Sequence, residues 1–143
     1  MPDLLPRAVP VACGIVEQGD RFLAALRGTA QSNAGPAAGR WEFPGGKIRA
    51  GEPAETALAR ELREELCLDI SIVAGLPPNR YSYPGITIEL VPFVCSIARG
   101  EPRLSEHTAI RWVTFKEAQE LEWAPADVAV LEEYQHYKNT PRR

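Results

Sequence analysis

Glu61, Glu64 and Glu65 stand at positions i, i+3 and i+4 of a helix-prone stretch. On an α-helix such residues share one face. Carboxylates crowded there repel one another, at about a few tenths of a kcal/mol per like-charged pair. A hard divalent cation is the simplest compensation. Mg²⁺ and Mn²⁺ take oxygen ligands, and Mg²⁺ commonly bridges carboxylates and a substrate phosphate. Residue type and spacing therefore point to metal-assisted phosphate chemistry. A solvated charged face is the general alternative for acidic helices. That alternative leaves the nearby Gly45-Gly46, Glu52 and Arg60 without an explanation.

The helix that must carry these groups has a readable start and stripe. Gly45-Gly46 reads as a flexible turn after Trp41-Glu42-Phe43-Pro44, and Gly51 breaks the chain again. Pro53 suits the first helical position, where its missing N–H costs nothing. Ala54, Leu58, Leu62 and Leu66 recur as an apolar stripe beside the glutamates. Arg60, adjacent to Glu61, can hold a carboxylate by a forked hydrogen bond.

The run from Gly46 to Leu68 resembles the signature of the Nudix family, G-x5-E-x7-R-E-U-x-E-E-x-G-U with U apolar. Gly46, Glu52, Arg60, Glu61, Leu62, Glu64, Glu65 and Leu68 fall in place. Cys67 stands where the pattern has Gly. That position lies just past the helix end, where a left-handed residue often closes the helix. A non-Gly residue there costs about 1 kcal/mol, so a local adjustment of the turn is expected. A thiolate ligand at Cys67 is disfavoured, because thiolate is soft and this site is built from hard oxygens.

Composition sets the frame. The chain has 143 residues and a net charge of −3, the size of one domain with a proper core. No global basic field exists for nucleic acid. No apolar run approaches a membrane span, and Met1 to Arg7 lacks a signal-peptide layout. Cys13, Cys67 and Cys95 are odd in number and far apart. They read as free thiols in a reducing cytosol, Cys13 and Cys95 being buried. A cytoplasmic protein, monomer or homodimer, is the expectation.

Along the chain, Ala8 to Val16 reads as a buried strand, Glu17-Gln18-Gly19-Asp20 as a turn, and Arg21 to Leu26 as the returning strand of a hairpin. Residues 28–39 read as a mobile loop. Further strands are expected at Asp69 to Gly75, Arg80 to Tyr83, Ile86 to Ile97 and Ala109 to Val113. Ile86-Ile88-Leu90 alternate with Thr87-Glu89, the period of a sheet with one wetter face. Thr114 to Glu117 spells a capping box opening a short helix. Pro125 opens the last helix, with Val128, Leu131 and Tyr134 on one side. Strands and helices mix without regular β-α-β alternation, so the class is α+β in a single domain over 1–143, with its core at about 8–138. The resemblance implies the same, a mixed sheet sandwiched between helices.

The resemblance also extends to the MutT-type branch, through Phe22 to Arg27, Trp41 to Lys47, Glu106 to Val113 and Trp123 to Asp127. It implies Mg²⁺ (or Mn²⁺) on Glu61, Glu64, Glu65 and the Gly45 carbonyl. Water would then attack a (deoxy)nucleoside triphosphate at the β phosphorus, giving monophosphate and pyrophosphate. Glu61, oriented by Arg60, and Glu106 are the alternatives for the base that takes the proton. Glu52 supports the loop, and Lys47 meets phosphate as a point charge. An ionised Asp127 only accepts hydrogen bonds, which fits the amino groups of cytosine or guanine; its other reading is a helix N-terminal charge. Phe43 is either a base-stacking ring or a core aromatic. Arg27 is a phosphate or base-edge contact, or a solvated strand end. The branch favours a cytosine or modified-cytosine nucleotide, with 8-oxo-dGTP next. ADP-ribose or another nucleoside diphosphate derivative is a second enzymatic reading, and a non-hydrolysing nucleotide sensor a third.

Overall fold

The structure, a computed structural model, describes residues 7–28, 37–104 and 109–141. Its centre is a parallel pair. β1 (Ala8–Gln18) and β7 (Ile86–Arg99) run side by side, from Ala8 opposite Thr87 to Glu17 opposite Ser96. Strands covered on both faces need apolar residues at successive positions, which is what Val11 to Val16 supplies. Cys13 and Ile15 join one core cluster with Val94. Their neighbours Ala12 and Val16 join the other with Cys95. Period two divides each strand between two cores in this way.

The remaining strands extend this pair. β2 (Arg21–Leu26) is antiparallel to β1, and it carries β3 (Trp41–Glu42) and β8 (Ala109–Val113). β4 (Gly45–Lys47) pairs with β1, while β5 (Asp69–Gly75) and β6 (Asn79–Tyr83) pair with β7. Three helices complete the described residues: α1 (Ala54–Leu66), α2 (Phe115–Ala118) and α3 (Pro125–Asn139). α1 seals one face with Leu58, Leu62 and Leu66, and α3 the other with Val130, Leu131 and Tyr134. The expected mixed sheet between helices is therefore present. Each fully buried leucine of α1 contributes about 1.5–3 kcal/mol, so packing, more than propensity, holds this helix.

Several local readings shift. β1 continues through Gln18, leaving a turn of Gly19 and Asp20 only. Glu17 stays in the strand, opposite Phe22 on one side and Ser96 on the other, and its carboxylate accepts from the Tyr134 hydroxyl and Lys138 Nζ. Pro53 is the cap, one residue before the helix. Val128 is exposed, at 41 %, and does not share the buried side of α3. The buried residues of α3 are Ala126, Asp127, Val130, Leu131 and Tyr134; the last four stand at i, i+3, i+4 and i+7, and the polar Asp127 among them hid the stripe. The capping box at Thr114 is present, with Thr114 and Glu117 each bonding the other's backbone N–H. All three cysteines are free, with Cys13 and Cys95 buried and Cys67 exposed. No helix is long and apolar enough to cross a membrane among the described residues. Most of the 28–39 loop and Glu106 lie outside the described residues.

Candidate active site

The Gly45-Gly46 pair is not a turn. Both residues lie in β4, Gly45 opposite Cys13 and Gly46 opposite Ala12, and neither has a positive φ. What they lack is a side chain. A Cβ on Gly45 would lie 1.9 Å from the Ala12 carbonyl oxygen, and one on Gly46 would lie 2.3 Å from Cδ of Glu61. The bare backbone lets β4 seat against β1 and leaves a cradle filled by the Glu61 carboxylate.

Arg60 ties this cradle together. Its Nη1 donates to Glu61 Oε1 at 2.8 Å. Its Nε and Nη2 fork onto Glu52 at 3.0 and 2.9 Å, and Nη2 also reaches the Lys47 carbonyl at 3.2 Å. The hydrogen bond from Arg60, helped by the Arg49 N–H, holds the Glu52 carboxyl down at about 2. Glu52 is thus an anchor for Arg60, and Arg60 an anchor for Glu61. Glu64 is 3.7 Å from Arg60 Nη1, with its side chain 56 % exposed. Glu65 is half-buried and close enough to act electrostatically on Arg27.

These donors are hard oxygens, the class a Mg²⁺ or Mn²⁺ ion takes, and the Gly46 cradle admits a carboxylate where a methyl group would not fit. In donor type the residues fit such an ion. Among the described residues, no three acidic, His or Cys side chains already converge into a cage.

Beside β4 opens a cavity of about 320 Å³, within the range of small-ligand sites. Gly45, Gly46 and Lys47 line it together with Arg27, Glu42 and Asp127. Val11, Ile86, Ile88 and Leu90 supply apolar wall, so the alternating face of β7 read from the sequence is the face turned to the cavity. Phe43 reaches it as well, but it is a core aromatic, 3 % exposed, with its ring 4.8 Å from that of Trp123.

Arg27 is not a solvated strand end. Its Nε and Nη2 donate to the two oxygens of Glu42, at 3.2 and 2.8 Å. Burial pulls its pKa down, but Glu42 more than offsets this and leaves it raised. Asp127 is buried in the first turn of α3 and accepts a hydrogen bond from the Phe43 N–H at 2.9 Å. Burial first, then the charge of Glu42, push its pKa well above the usual carboxylate value. Burial thus works toward the neutral form of Asp127, which donates as well as accepts, whereas the ionised form only accepts.

Sequence reasoning missed Glu42 and Tyr83. Glu42 is nearly buried and pairs with Ala25 across β2–β3, which sets Arg27 diagonally opposite on the same face. Only that register reveals the pair. Tyr83 lines the cavity, and its hydroxyl accepts from the Ala126 N–H at 3.1 Å; burial raises its pKa.

The raised pKa of Asp127 fixes a sign. Its contribution to stability is complete below the ordinary Asp value and is lost as pH rises through the folded value. Asp127→Asn keeps an acceptor for Phe43 and removes the titration. Its unfolding midpoint is expected to fall less than that of the parent between about pH 5 and about pH 8, read by thermal melts at both. An equal fall in both proteins would show that Asp127 is ionised without penalty.

At the end of α1 the expected local adjustment is absent. Cys67 keeps the left-handed conformation, φ 57° and ψ 32°. Its N–H bonds the Arg63 carbonyl at 3.1 Å and the Leu68 N–H bonds that of Leu62 at 3.2 Å, the closure usually made with Gly. Cys67→Gly is expected to stabilise the fold by about 1 kcal/mol in urea titration. Destabilisation, or a large loss of metal affinity, would overturn this reading.

The NUDIX domain profile matches residues 6–134. This chain belongs to the Nudix family. Within it, the chain is MutT-like. A Mycobacterium tuberculosis relative, provisionally named 8-oxo-dGTP diphosphatase 2, is 44 % identical over 92 residues, which cover 63 % of this chain and 64 % of that protein. The chain thus spans slightly under two thirds of that relative. The CTP pyrophosphohydrolase of Escherichia coli is 34 % identical over 90 % of this chain and 92 % of its own length. The solution structure of the E. coli ORF135 protein superimposes with a TM-score of 0.78 at 29 % identity, over 94 % of this chain and 93 % of that one.

Proposed function

We propose that this Nudix protein hydrolyses a (deoxy)nucleoside triphosphate to the monophosphate and pyrophosphate, with a cytosine or modified-cytosine base as its preferred substrate. One observation carries the reading. A single cavity runs from Gly45, Gly46 and Lys47, beside the acidic face of α1, to an apolar wall and the polar trio Arg27, Glu42 and Asp127. Phosphates belong with the first part and a base with the second.

Glu61, Glu64, Glu65 and the Gly45 carbonyl would hold the divalent ion. When bound, such an ion neutralises phosphate charge and activates water. Lys47 supplies a point charge to the phosphates. Arg60 keeps Glu61 seated over Gly46, and Glu52 keeps Arg60 in place. Glu61 or Glu106 receives the proton of the attacking water as its oxygen bonds to the β phosphorus. The bond from that phosphorus to the bridging oxygen breaks, the nucleoside monophosphate leaves with that oxygen, and the attacked half becomes pyrophosphate. Apolar contacts from Val11, Ile88 and Leu90 favour a flat heterocycle, while Asp127 and Tyr83 face its edge.

The likeness to the E. coli CTP pyrophosphohydrolase over nearly the whole chain supports the cytosine reading. The second reading, 8-oxo-dGTP, is favoured by the higher identity to the M. tuberculosis relative. Initial rates with Mg²⁺ over CTP, dCTP, 5-methyl-dCTP, dGTP, 8-oxo-dGTP, dATP and ADP-ribose test both. A lead by a cytosine nucleotide supports the first, and a lead by 8-oxo-dGTP replaces it with the second. A lead by ADP-ribose moves the protein to the nucleoside diphosphate hydrolases, and binding without turnover makes it a sensor.

A further inference from the structure

Arg27 is the one cation on the cavity wall, among the described residues, whose guanidinium is already engaged by a carboxylate. Two of its five N–H groups point at Glu42, one to each oxygen. A planar fork of this kind fixes orientation as well as distance. The backbone is fixed too: the Arg27 N–H bonds the Arg40 carbonyl at 3.1 Å, and the Gly39 N–H bonds the Arg27 carbonyl at 2.8 Å. Arg27 is thus a preorganised donor, held before any ligand arrives.

The pair has a consequence for what Arg27 can bind. Glu42, with its side chain only 11 % exposed, neutralises the guanidinium at contact distance. Asp127 and Glu65 also act on it electrostatically. A phosphate oxygen brought to the outer N–H groups would meet a cation already matched by carboxylates, and would sit near their charge in a partly desolvated wall, where repulsion is little screened. A neutral oxygen pays no such penalty. The N–H groups left over can still donate to it, and the apolar wall around them suits a heterocycle.

We propose that Glu42 is a positioning residue that neutralises Arg27 and aims its remaining N–H groups at a carbonyl oxygen of the base, so that Arg27 reads the base and not the phosphates. This rests on the nucleotide reading above. It applies equally to cytosine, guanine and 8-oxoguanine, which all carry a carbonyl, and works against adenine, which carries none.

The test is equilibrium binding by calorimetry in Mg²⁺-free buffer, with CTP, 8-oxo-dGTP, ATP and inorganic tripolyphosphate as probes. Arg27→Ala is expected to weaken the tighter of CTP and 8-oxo-dGTP about tenfold, and to leave ATP and tripolyphosphate within about twofold. Glu42→Gln should weaken the same nucleotide in the same selective way. The double variant Arg27→Gln with Glu42→Gln should be no worse than Arg27→Ala, because both changes remove one interaction. The double variant also keeps side-chain volume without a lone buried charge, so it provides the readout if Arg27→Ala does not fold. Parallel weakening of tripolyphosphate and nucleotide would make Arg27 a phosphate ligand and overturn the proposal. So would equal weakening of ATP, or a double variant that binds every probe like the parent. A parent protein that binds tripolyphosphate as tightly as every nucleotide would instead overturn the nucleotide reading itself.

Discussion

Glu64→Gln should lower kcat by about two to four orders of magnitude while the unfolding midpoint stays within about 2 °C of the parent. The expectation comes from a mismatch between what Glu64 does for the fold and what its position offers to chemistry. Its side chain is more than half exposed, and its ion-pair partner among the described residues, Arg60, is 3.7 Å away. Exposed pairs of that kind contribute about 0–1 kcal/mol. Yet Glu64 shares a helix face with Glu65 and with Glu61, whose carboxylate sits against Gly46 on the cavity wall. Gln keeps its shape and removes the charge a divalent ion needs. Pyrophosphate release under saturating Mg²⁺, set beside a thermal melt, separates the two effects. A variant with near-parental turnover would remove Glu64 from the metal site, and a large loss of stability would recast it as structural.

The two adjacent glycines should fail in different ways. Gly45→Ala pushes a methyl group into the Ala12 carbonyl, where the added Cβ would be 1.9 Å away. Backbone meets backbone there, so β4 must lift from β1. The expected loss is about 3 kcal/mol or more, seen in denaturant titration, with activity lost alongside the fold. Gly46→Ala meets a side chain instead, the Glu61 carboxylate at 2.3 Å from the added atom. That carboxylate can swing away by breaking its bond to Arg60. The fold should survive with a loss of about 1–2 kcal/mol, while kcat drops about a hundredfold or more. Equal stability for both variants would show that the strand pairing tolerates a lift at Gly45. Full activity in Gly46→Ala would show that Glu61 works equally well outside its cradle.

Much of the fold was legible because it rests on periodicities. The Leu58, Leu62 and Leu66 stripe, the alternation along β7 and the capping box at Thr114 are local patterns with one structural solution each. The acidic face of α1 was legible for the same reason: i, i+3 and i+4 meet on a helix whatever surrounds it. Readings that needed a partner from elsewhere went astray. Gly45-Gly46 looked like a turn because a Gly pair signals backbone freedom, and the crowding by Ala12 and Glu61 appears only once β4 lies on β1 and α1. Val128 was grouped with Leu131 and Tyr134 because it is apolar, while the buried side includes the polar Asp127 instead. At Cys67 the helix closure kept its left-handed geometry without the glycine that normally permits it.

The sequence by itself determined the family, the helix that gathers Glu61, Glu64 and Glu65, and the anchoring of Arg60 beside them, since all lie within one short segment whose geometry is local. The tertiary structure decided the state of the other cavity residues. Glu42 meets Arg27 through strand register, and Asp127 meets Phe43 across 84 positions of chain. Whether such a carboxyl is charged or neutral depends on burial and on its neighbours' charge, which are properties of the packed molecule and of no single stretch of it.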